Sequence, residues 1–216
     1  MKNLIITGGA GGIGTSLVRS LIDKNFFLTI IGRNNKKFKS LLSLLGQKKN
    51  IEFFQLDVSN HLKVKDFYVS LNKRGTNYFG LINLAAIQQP ISEFADCNLQ
   101  EWSKALSINL IGTANMIHGF VNIIRDNKSK RKIINFSGGG ATSPRPNFSA
   151  YAASKIGVIN FTELLSYEFE DRNIDINAVA PGSIHTDMID EIISMGDKAG
   201  SDYQIALDKK RKKTTS

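Results

Sequence analysis

The sequence predicts an α/β protein whose single parallel sheet is doubly wound, with helices on both faces. Short apolar runs alternate with helix-patterned stretches from the first residues onward, which is the order of βαβ units. The predicted strands are apolar throughout instead of alternating with polar residues, so both of their faces should be buried. A glycine-rich turn joins the first strand to the first helix. With 216 residues, the chain is long enough for one well-buried domain and short for two.

Six strands and the helices between them follow in chain order. The predicted strands are 4–7, 27–31, 51–56, 79–84, 132–136 and 174–179. The predicted helices are 12–24, 36–45, 62–71, 99–125 and 151–169, with a further short helix at 203–207. Residues 1–200 should therefore form one Rossmann-like domain, and residues 201–216 should form a basic, disordered tail.

Charge and composition narrow the class of protein. The formal net charge is +9, but five of these charges lie in the run 209–213 near the end of the chain. A second basic cluster, 128–132, lies where a predicted helix leads into a strand. No aromatic residues are interleaved with either cluster to stack on bases, so we interpret both as solvated and expect no nucleic-acid partner.

Other residue types exclude further classes. Cys97 is the only cysteine, which rules out an internal disulfide and favours a reducing cytoplasm. The histidines, His61, His118 and His185, are scattered without the spacing of metal ligands, so no metal site is predicted. No apolar run reaches the length of a membrane span, and the first strand begins too early to leave room for a signal peptide.

The glycine-rich turn predicts a dinucleotide site. The segment 7–14 reads Thr-Gly-Gly-Ala-Gly-Gly-Ile-Gly between the first strand and the first helix. Glycines there allow a tight turn and close approach of the backbone to a pyrophosphate at the helix N-terminus. The candidate binding residues in this turn are Gly8, Gly12, Ile13 and Gly14.

The end of the second strand favours NADP(H) over NAD(H). NAD sites commonly place a carboxylate there for the ribose 2′-hydroxyl, whereas NADP sites place arginine there for the 2′-phosphate. This chain has no Asp or Glu between Lys24 and Ile51, and it has Arg33 at the strand end. Asp57 and Val58, after the third strand, are candidates to meet the adenine, although Asp57 also suits a simple turn.

Tyr151 and Lys155 are the candidate acid/base pair. Their spacing of four residues on a predicted helix puts both side chains on one face. A nearby ammonium favours the phenolate and lowers the tyrosine pKa from its usual value of about 10. Such a pair can exchange protons near neutral pH, although the spacing alone also occurs by chance in helices.

Together, these motifs closely resemble the short-chain dehydrogenase/reductase family in its single-domain form, over about residues 2–190. The resemblance implies that Tyr151 exchanges the proton at the substrate oxygen and that Lys155 holds the nicotinamide ribose. It also implies that Asn109 anchors a water in a proton path, and that 186–195 form a mobile lid. Further cofactor contacts implied by the family motifs fall on Asn83, Ala85, Pro181, Gly182 and Thr186.

Two departures from the family pattern stand out. The family serine expected at position 138 is Gly138 here, preceded by Ser137. Either the glycine-rich loop lets Ser137 reach the substrate oxygen, or backbone N–H groups hold that oxygen. The second departure is that no apolar seventh strand follows residue 200, which resembles a C-terminally truncated member with its sixth strand at the sheet edge.

The resemblance implies an oxidoreductase that interconverts a carbonyl and a secondary alcohol, with hydride carried by the cofactor. The alternative is a truncated or degenerate member that binds nucleotide without efficient turnover. The resemblance also implies a homodimer through the long helices that contain Asn109 and Tyr151. The substrate is left open, with a few polar side chains expected near it: Gln88, Gln89, Arg145 and His185.

Overall fold

The computed structural model describes residues 1–46, 48–124, 128–182, 184 and 186–214, and these contain one parallel sheet. Its strands are β1 (Lys2–Thr7), β2 (Phe26–Gly32), β3 (Ile51–Gln55), β4 (Tyr78–Asn83), β5 (Arg131–Phe136) and β6 (Ile174–Val179). They lie in the order β3-β2-β1-β4-β5-β6, and each neighbouring pair is parallel. The strand order reverses at β1, so the predicted doubly wound fold is confirmed.

Eight α-helices connect or follow these strands in the described part of the chain. They are α1 (Gly12–Leu21), α2 (Asn35–Leu45), α3 (His61–Lys73), α4 (Leu99–Leu106), α5 (Gly112–Asn122), α6 (Ser149–Glu168), α7 (Asp187–Met195) and α8 (Ser201–Thr214). None of the helices described is both long and apolar enough to cross a membrane.

Asparagine residues begin three of these helices. The side chain of Asn34 accepts a hydrogen bond from the backbone N–H of Lys37 at the start of α2. Asn60 and Asn98 cap α3 and α4 in the same way. Each cap satisfies an N–H group that has no partner within the helix, which explains why the helices begin at these positions.

Both faces of the sheet are buried, as the continuous apolar strands predict. In β1, Ile5 packs into a core formed with α3, α5 and α6. Its neighbours Leu4 and Ile6 point to the opposite face and pack with α1 and α2. This alternation between two cores is what a strand that lies between two helical layers requires.

The predicted helix 99–125 is interrupted in the structure. A π-helical segment, Ser107–Ile111, separates α4 from α5, and α5 ends at Asn122. Arg125, the predicted end, lies outside the described residues. The π segment contains Asn109, and such insertions are frequent at functional sites.

The segment after Gly200 differs from its prediction as a short helix followed by a disordered tail. It forms the continuous helix α8, which packs against α7 and buries Ala206. The helical periodicity of apolar residues in this segment is weak, because only a few apolar residues precede the basic run at 209–213. The contacts with α7 therefore account for order that local sequence did not predict.

Within the described residues, strand β6 lies at one edge of the sheet. Its last three residues, Asn177, Ala178 and Val179, are exposed. The site described below lies at the carboxyl ends of the strands, next to the exposed end of β6.

Candidate active site

A cavity of about 1610 Å³ opens at the carboxyl ends of the strands. Ligands of doubly wound sheets bind at this edge, near the point where the strand order reverses. The cavity runs from the turn after β1 to α8. It is lined by most of the predicted site residues, namely Gly8, Gly12, Ile13, Gly14, Arg33, Asp57, Val58, Ala85, Ser137, Tyr151, Lys155, Pro181, Gly182 and Thr186.

The glycine turn is closely folded at the start of α1. The N–H of Gly11 donates to the carbonyl of Gly8 at 2.9 Å. A Cβ on Gly14 would lie 2.2 Å from the same carbonyl oxygen, so a side chain at this position would break the turn. Gly11 caps α1 without a side-chain hydrogen bond, which leaves its first amide groups available to an anion. The turn therefore fits a pyrophosphate.

A basic group and a carboxylate face each other where β2 and β3 end. Arg33 Nη1 lies 3.9 Å from Asp57 Oδ2, and both side chains are partly exposed. Asp57 Oδ1 accepts hydrogen bonds from the backbone N–H and the hydroxyl of Ser59. Partial burial raises the pKa of Asp57, but the bonds from Ser59 and the charge of Arg33 outweigh it and hold the pKa below its ordinary value. Arg33 can therefore offer its guanidinium to an anion in the cavity.

Asn83, a predicted cofactor contact, does not line the cavity. Its side chain is buried and donates to Asn135 Oδ1 at 2.9 Å, and Asn135 in turn donates to Thr162 on α6. The network ties β4 and β5 to α6. Ala85, two residues later, does line the cavity, and its N–H donates to Thr7 Oγ1 at 3.1 Å.

Both members of the predicted acid/base pair line the cavity. Tyr151 and Lys155 are both buried near the start of α6, one helical turn apart. Lys155 Nζ donates to the carbonyl of Phe136 at 2.7 Å and lies 5.7 Å from the centre of the Tyr151 ring. Burial lowers the pKa of Lys155 to about 8.

The pKa of Tyr151 differs from the sequence-based expectation. Burial raises it above its ordinary value, and the charge of Arg145 acts against that rise. Lys155 is engaged with a backbone carbonyl, whereas Arg145 lies in the loop between β5 and α6. Arg145 Cζ lies 5.5 Å from the centre of the Tyr151 ring, so its charge favours the phenolate.

Gly138 lies directly against the tyrosine hydroxyl. A Cβ at this position would be 2.2 Å from the Tyr151 hydroxyl oxygen and 3.0 Å from Cζ. The hydroxyl thus occupies the space that a side chain at position 138 would need. This close approach gives a physical reason for glycine at the position where the family resemblance predicts serine.

Ser137 also lines the cavity, but its hydroxyl is directed towards helix α6. Ser137 Oγ donates to the backbone carbonyl of Lys155 at 3.4 Å, which is long for such a bond. The backbone N–H of Ser137 donates to Val179 on β6. These contacts anchor the end of β5 between β6 and helix α6.

Asn109 is fully buried behind the cavity wall. Its side chain accepts from the N–H of Ile87 and donates to the carbonyl of the same residue, at 2.9 and 2.8 Å. It also donates to Ser154 on α6. Asn109 therefore joins the π segment to the loop after β4 and to the helix that carries Tyr151.

The predicted lid, 186–195, comprises Thr186 and helix α7, and most of its residues line the cavity. A Cβ on Gly12 would lie 2.6 Å from Cβ of Thr186, so the start of the lid rests on the glycine turn. Lys37 Nζ lies 2.5 Å from Asp187 Oδ2. On the opposite side Gln88 donates to the carbonyl of Met188 and, at 2.9 Å, to Glu191.

Of the polar side chains expected near the substrate, some line the cavity and others do not. Gln88 and Arg145 line the cavity. Gln89 is not among the lining residues, and its side-chain oxygen accepts a hydrogen bond from the N–H of Ile91. His185 lies outside the described residues. Three residues of α8 also line the cavity, and the sequence did not single them out because they precede or join a basic run: Asp202, Ile205 and Lys209.

Comparison with known proteins agrees with this geometry. The profile of the short chain dehydrogenase family matches residues 2–196. The chain is 35% identical over 193 residues to the 3-oxoacyl-[acyl-carrier-protein] reductase FabG of Rickettsia prowazekii (strain Madrid E), covering 88% of this chain and 76% of that protein. It is 29% identical over 190 residues to the 2,3-dihydro-2,3-dihydroxybenzoate dehydrogenase of Bacillus subtilis (strain 168), covering 87% and 71% respectively.

A solved structure supports the same relationship. The structure of ElxO with NADP bound superposes with a TM-score of 0.81 at 28% identity, covering 91% of this chain and 79% of that chain. The glycine turn, the sheet order and the tyrosine–lysine helix thus agree with the sequence matches. The chain belongs to the short-chain dehydrogenase family and is an NAD(P)-dependent oxidoreductase.

Proposed function

We propose that this protein is an NADP(H)-dependent enzyme that interconverts a carbonyl and a secondary alcohol, with Tyr151 as the proton donor and acceptor. The observation that carries the proposal is the position of the Tyr151 hydroxyl. It meets the backbone of Gly138 in the same cavity that contains the glycine turn. A buried hydroxyl one helical turn from Lys155 can exchange a proton with a substrate oxygen.

The cavity residues fit a nicotinamide dinucleotide phosphate. The glycine turn and the uncapped start of α1 would hold the pyrophosphate, and Arg33 would meet the 2′-phosphate together with Lys36 and Lys37. Asp57 and Val58 would line the adenine end, and Thr186 and Pro181 the nicotinamide end. The bound cofactor supplies or takes up the hydride. The NADP in the ElxO structure supports this choice of cofactor.

The protein's own groups would orient the reactants and handle the proton. Lys155, held by the carbonyl of Phe136, would bind the ribose, and Tyr151 would bind the reacting oxygen. Asn109 would support the proton path as a positioning residue, because its side chain bonds are all internal. The long bond of Ser137 to α6 supports the alternative in which backbone N–H groups of the glycine run hold the substrate oxygen.

The homodimer stays a proposal that exposed apolar side chains support. Ile111 at the end of the π segment, and Ile156 and Leu164 on α6, are each at least half exposed. They lie on the helices through which dimerisation is expected. Location in the cytoplasm likewise stays a prediction from the single cysteine.

We expect Arg33→Ala to weaken NADPH binding about tenfold or more while leaving NADH binding close to the wild-type value. A charge-assisted bond to a phosphate contributes roughly 1.5–3 kcal/mol, and NADH has no 2′-phosphate. Fluorescence titration with both cofactors measures the two dissociation constants. Lys39→Ala is the matched control, because Lys39 is an exposed cation on α2 that does not line the cavity. Equal affinities of the wild-type protein for both cofactors would reject the preference for NADP(H).

We expect Tyr151→Phe to lower turnover by at least about a hundredfold, since general acid–base catalysis contributes roughly 10²- to 10⁴-fold. NADPH binding should persist because the glycine turn is unchanged. The assay is oxidation of NADPH against a panel of carbonyl compounds, with the reverse reaction on the corresponding alcohols. Unchanged turnover in the variant would overturn the mechanism. A wild-type protein that binds NADPH and turns over no compound would instead favour the degenerate, nucleotide-binding alternative.

A further inference from the structure

Arg145 lines the cavity, and its guanidinium lies against two aromatic rings. Its Cζ lies 3.8 Å from the centre of the Phe148 ring and 5.5 Å from the centre of the Tyr151 ring. Phe148 is fully buried, so the guanidinium rests on a rigid surface. Cation–π contacts of this kind hold a guanidinium in place even near a cavity.

Helix α8 fixes the other side of this guanidinium. Nε and Nη2 of Arg145 both lie 2.7 Å from Asp202 Oδ2, and the two side chains are only 16% and 23% exposed. The loop itself is tied to the segment before α8, because Asn147 donates to the carbonyl of Lys198 at 2.9 Å. The pair is therefore better shielded from water than the other ion pairs described for this chain, and its geometry is fixed from both sides.

Several charged side chains line the same cavity as Tyr151, and most of them are paired with other groups of the protein. Glu191 accepts from Gln88, and Asp190 lies 3.0 Å from Lys210. The ammonium of Lys155 donates to the carbonyl of Phe136. The charged side chains that line the cavity from α6, the β5–α6 loop, α7 and α8 are Lys155, Arg145, Asp187, Asp190, Glu191, Asp202 and Lys209, and Asp187 is paired with Lys37.

Among these groups Arg145 has a fixed charge close to the ring. Burial raises the pKa of Tyr151, and the charge of Arg145 is what opposes that rise. Lys155 can lose its proton near pH 8, whereas a guanidinium stays protonated throughout the working range of an enzyme. Arg145 therefore supplies a positive charge that does not vary with pH.

We propose that Arg145 is a positioning residue that stabilises the ionised hydroxyl of Tyr151, and that Asp202 limits this stabilisation by pairing with Arg145 from α8. The inference rests on the proposed function of Tyr151 as acid and base. It makes α8 part of the active site, because docking of this helix sets the charge that Tyr151 experiences.

We expect removal of the Arg145 charge and removal of the Asp202 charge to shift the ionisation of Tyr151 in opposite directions. Removal of the Arg145 charge leaves burial unopposed, so ionisation of Tyr151 moves to higher pH. Removal of the Asp202 charge leaves the guanidinium uncompensated, so ionisation moves to lower pH. A purely structural role would not give this result, because loss of either partner breaks the same contact between the loop and α8.

The test compares Arg145→Met, Arg145→Lys and Asp202→Asn with the wild-type full chain. The first readout is the pH profile of alcohol oxidation with NADP. The second is the ultraviolet absorbance of tyrosinate in the protein without added cofactor, with the same protein carrying Tyr151→Phe subtracted. We expect the Tyr151 transition to move up by about 0.5–1 pH unit in Arg145→Met and down by a similar amount in Asp202→Asn. Arg145→Lys should stay within a few tenths of a unit of wild type. Lys48→Met, which removes the exposed ion pair with Asp23, is the control, because neither residue lines the cavity, and it should not move the transition.

Shifts of both variants in one direction, or no shift in folded variants, would overturn the inference. Thermal unfolding identifies variants that do not fold. If Arg145→Met is one of them, the tyrosinate titration of Arg145→Lys is compared with that of the wild type. A shift of more than half a pH unit between these two proteins counts against the inference. Failure of the proposed function is recognised separately. In that case Tyr151→Phe keeps its turnover, while the tyrosinate titration still reports whether Arg145 and Asp202 act on Tyr151.

Discussion

Gly138→Ala should reduce turnover by about a hundredfold, while Gly139→Ala should remain close to wild type. A Cβ at position 138 would lie 2.2 Å from the Tyr151 hydroxyl, so either the loop or the ring must move. Displacement of a catalytic group by about 1 Å can cost roughly 10²-fold in rate. At position 139 the nearest atoms belong to Arg145 and lie 3.9 Å away, which is ordinary contact.

Because Gly138 and Gly139 are neighbours, their two alanine variants can be compared directly. Both substitutions add one methyl group to the same loop, and neither position has a positive φ. The measurements are kcat with the best carbonyl substrate, the dissociation constant of NADPH and the melting temperature. Equal turnover in the two variants would contradict the placement of the Tyr151 hydroxyl against Gly138.

The same contact bears on the serine that the family resemblance predicts at this position. Gly138→Ser would restore the family residue but would place its Cβ in the space that the Tyr151 hydroxyl occupies. We therefore expect the serine variant to resemble Gly138→Ala instead of improving the enzyme. Gly138 and Tyr151 are matched to each other, so the departure from the family pattern does not by itself indicate loss of activity.

Most of the fold could be predicted because its signals are local. An apolar run such as 27–31, which is short and rich in β-branched and aromatic residues, predicts a strand buried on both faces, and the glycine turn at 7–14 locates the first βα junction. These patterns depend on residues that are close in sequence. They predicted the strands, the principal helices and a set of site residues, most of which line the cavity.

The remaining features depend on contacts between distant parts of the chain. Asn83 follows the family motif, yet its side chain bonds to Asn135 because β4 and β5 are neighbours in the sheet. Asp202 joins the site because α8 packs on α7, although its local sequence suggests a tail. Arg145 likewise lies near Tyr151 through tertiary packing, since the position of its loop places the guanidinium 5.5 Å from the centre of the ring.

Lys155→Met should abolish efficient turnover and at the same time stabilise the folded protein near neutral pH. Lys155 is 3% exposed, and burial lowers its pKa from 10.5 to about 8. Burial of the protonated amine therefore costs about 3 kcal/mol relative to the unfolded chain, at about 1.4 kcal/mol for each pKa unit. The hydrogen bond to Phe136, worth about 1 kcal/mol, is lost in the variant. The net gain expected at pH 7 is about 2 kcal/mol in the free energy of unfolding.

The pH dependence of this gain separates it from a general packing effect. Between pH 8 and 10.5 the unfolded chain keeps the proton on Lys155 whereas the folded protein loses it. Rising pH therefore stabilises the wild-type protein through this group, and the advantage of Lys155→Met should shrink across that window. Urea unfolding from pH 7 to 10 measures the difference, with Lys39→Met as an exposed control that should show no such trend. A constant difference between Lys155→Met and wild type over this range would mean that Lys155 does not carry a burial cost. A shrinking difference together with lost turnover would mean that the fold keeps a destabilising lysine for its place beside Tyr151.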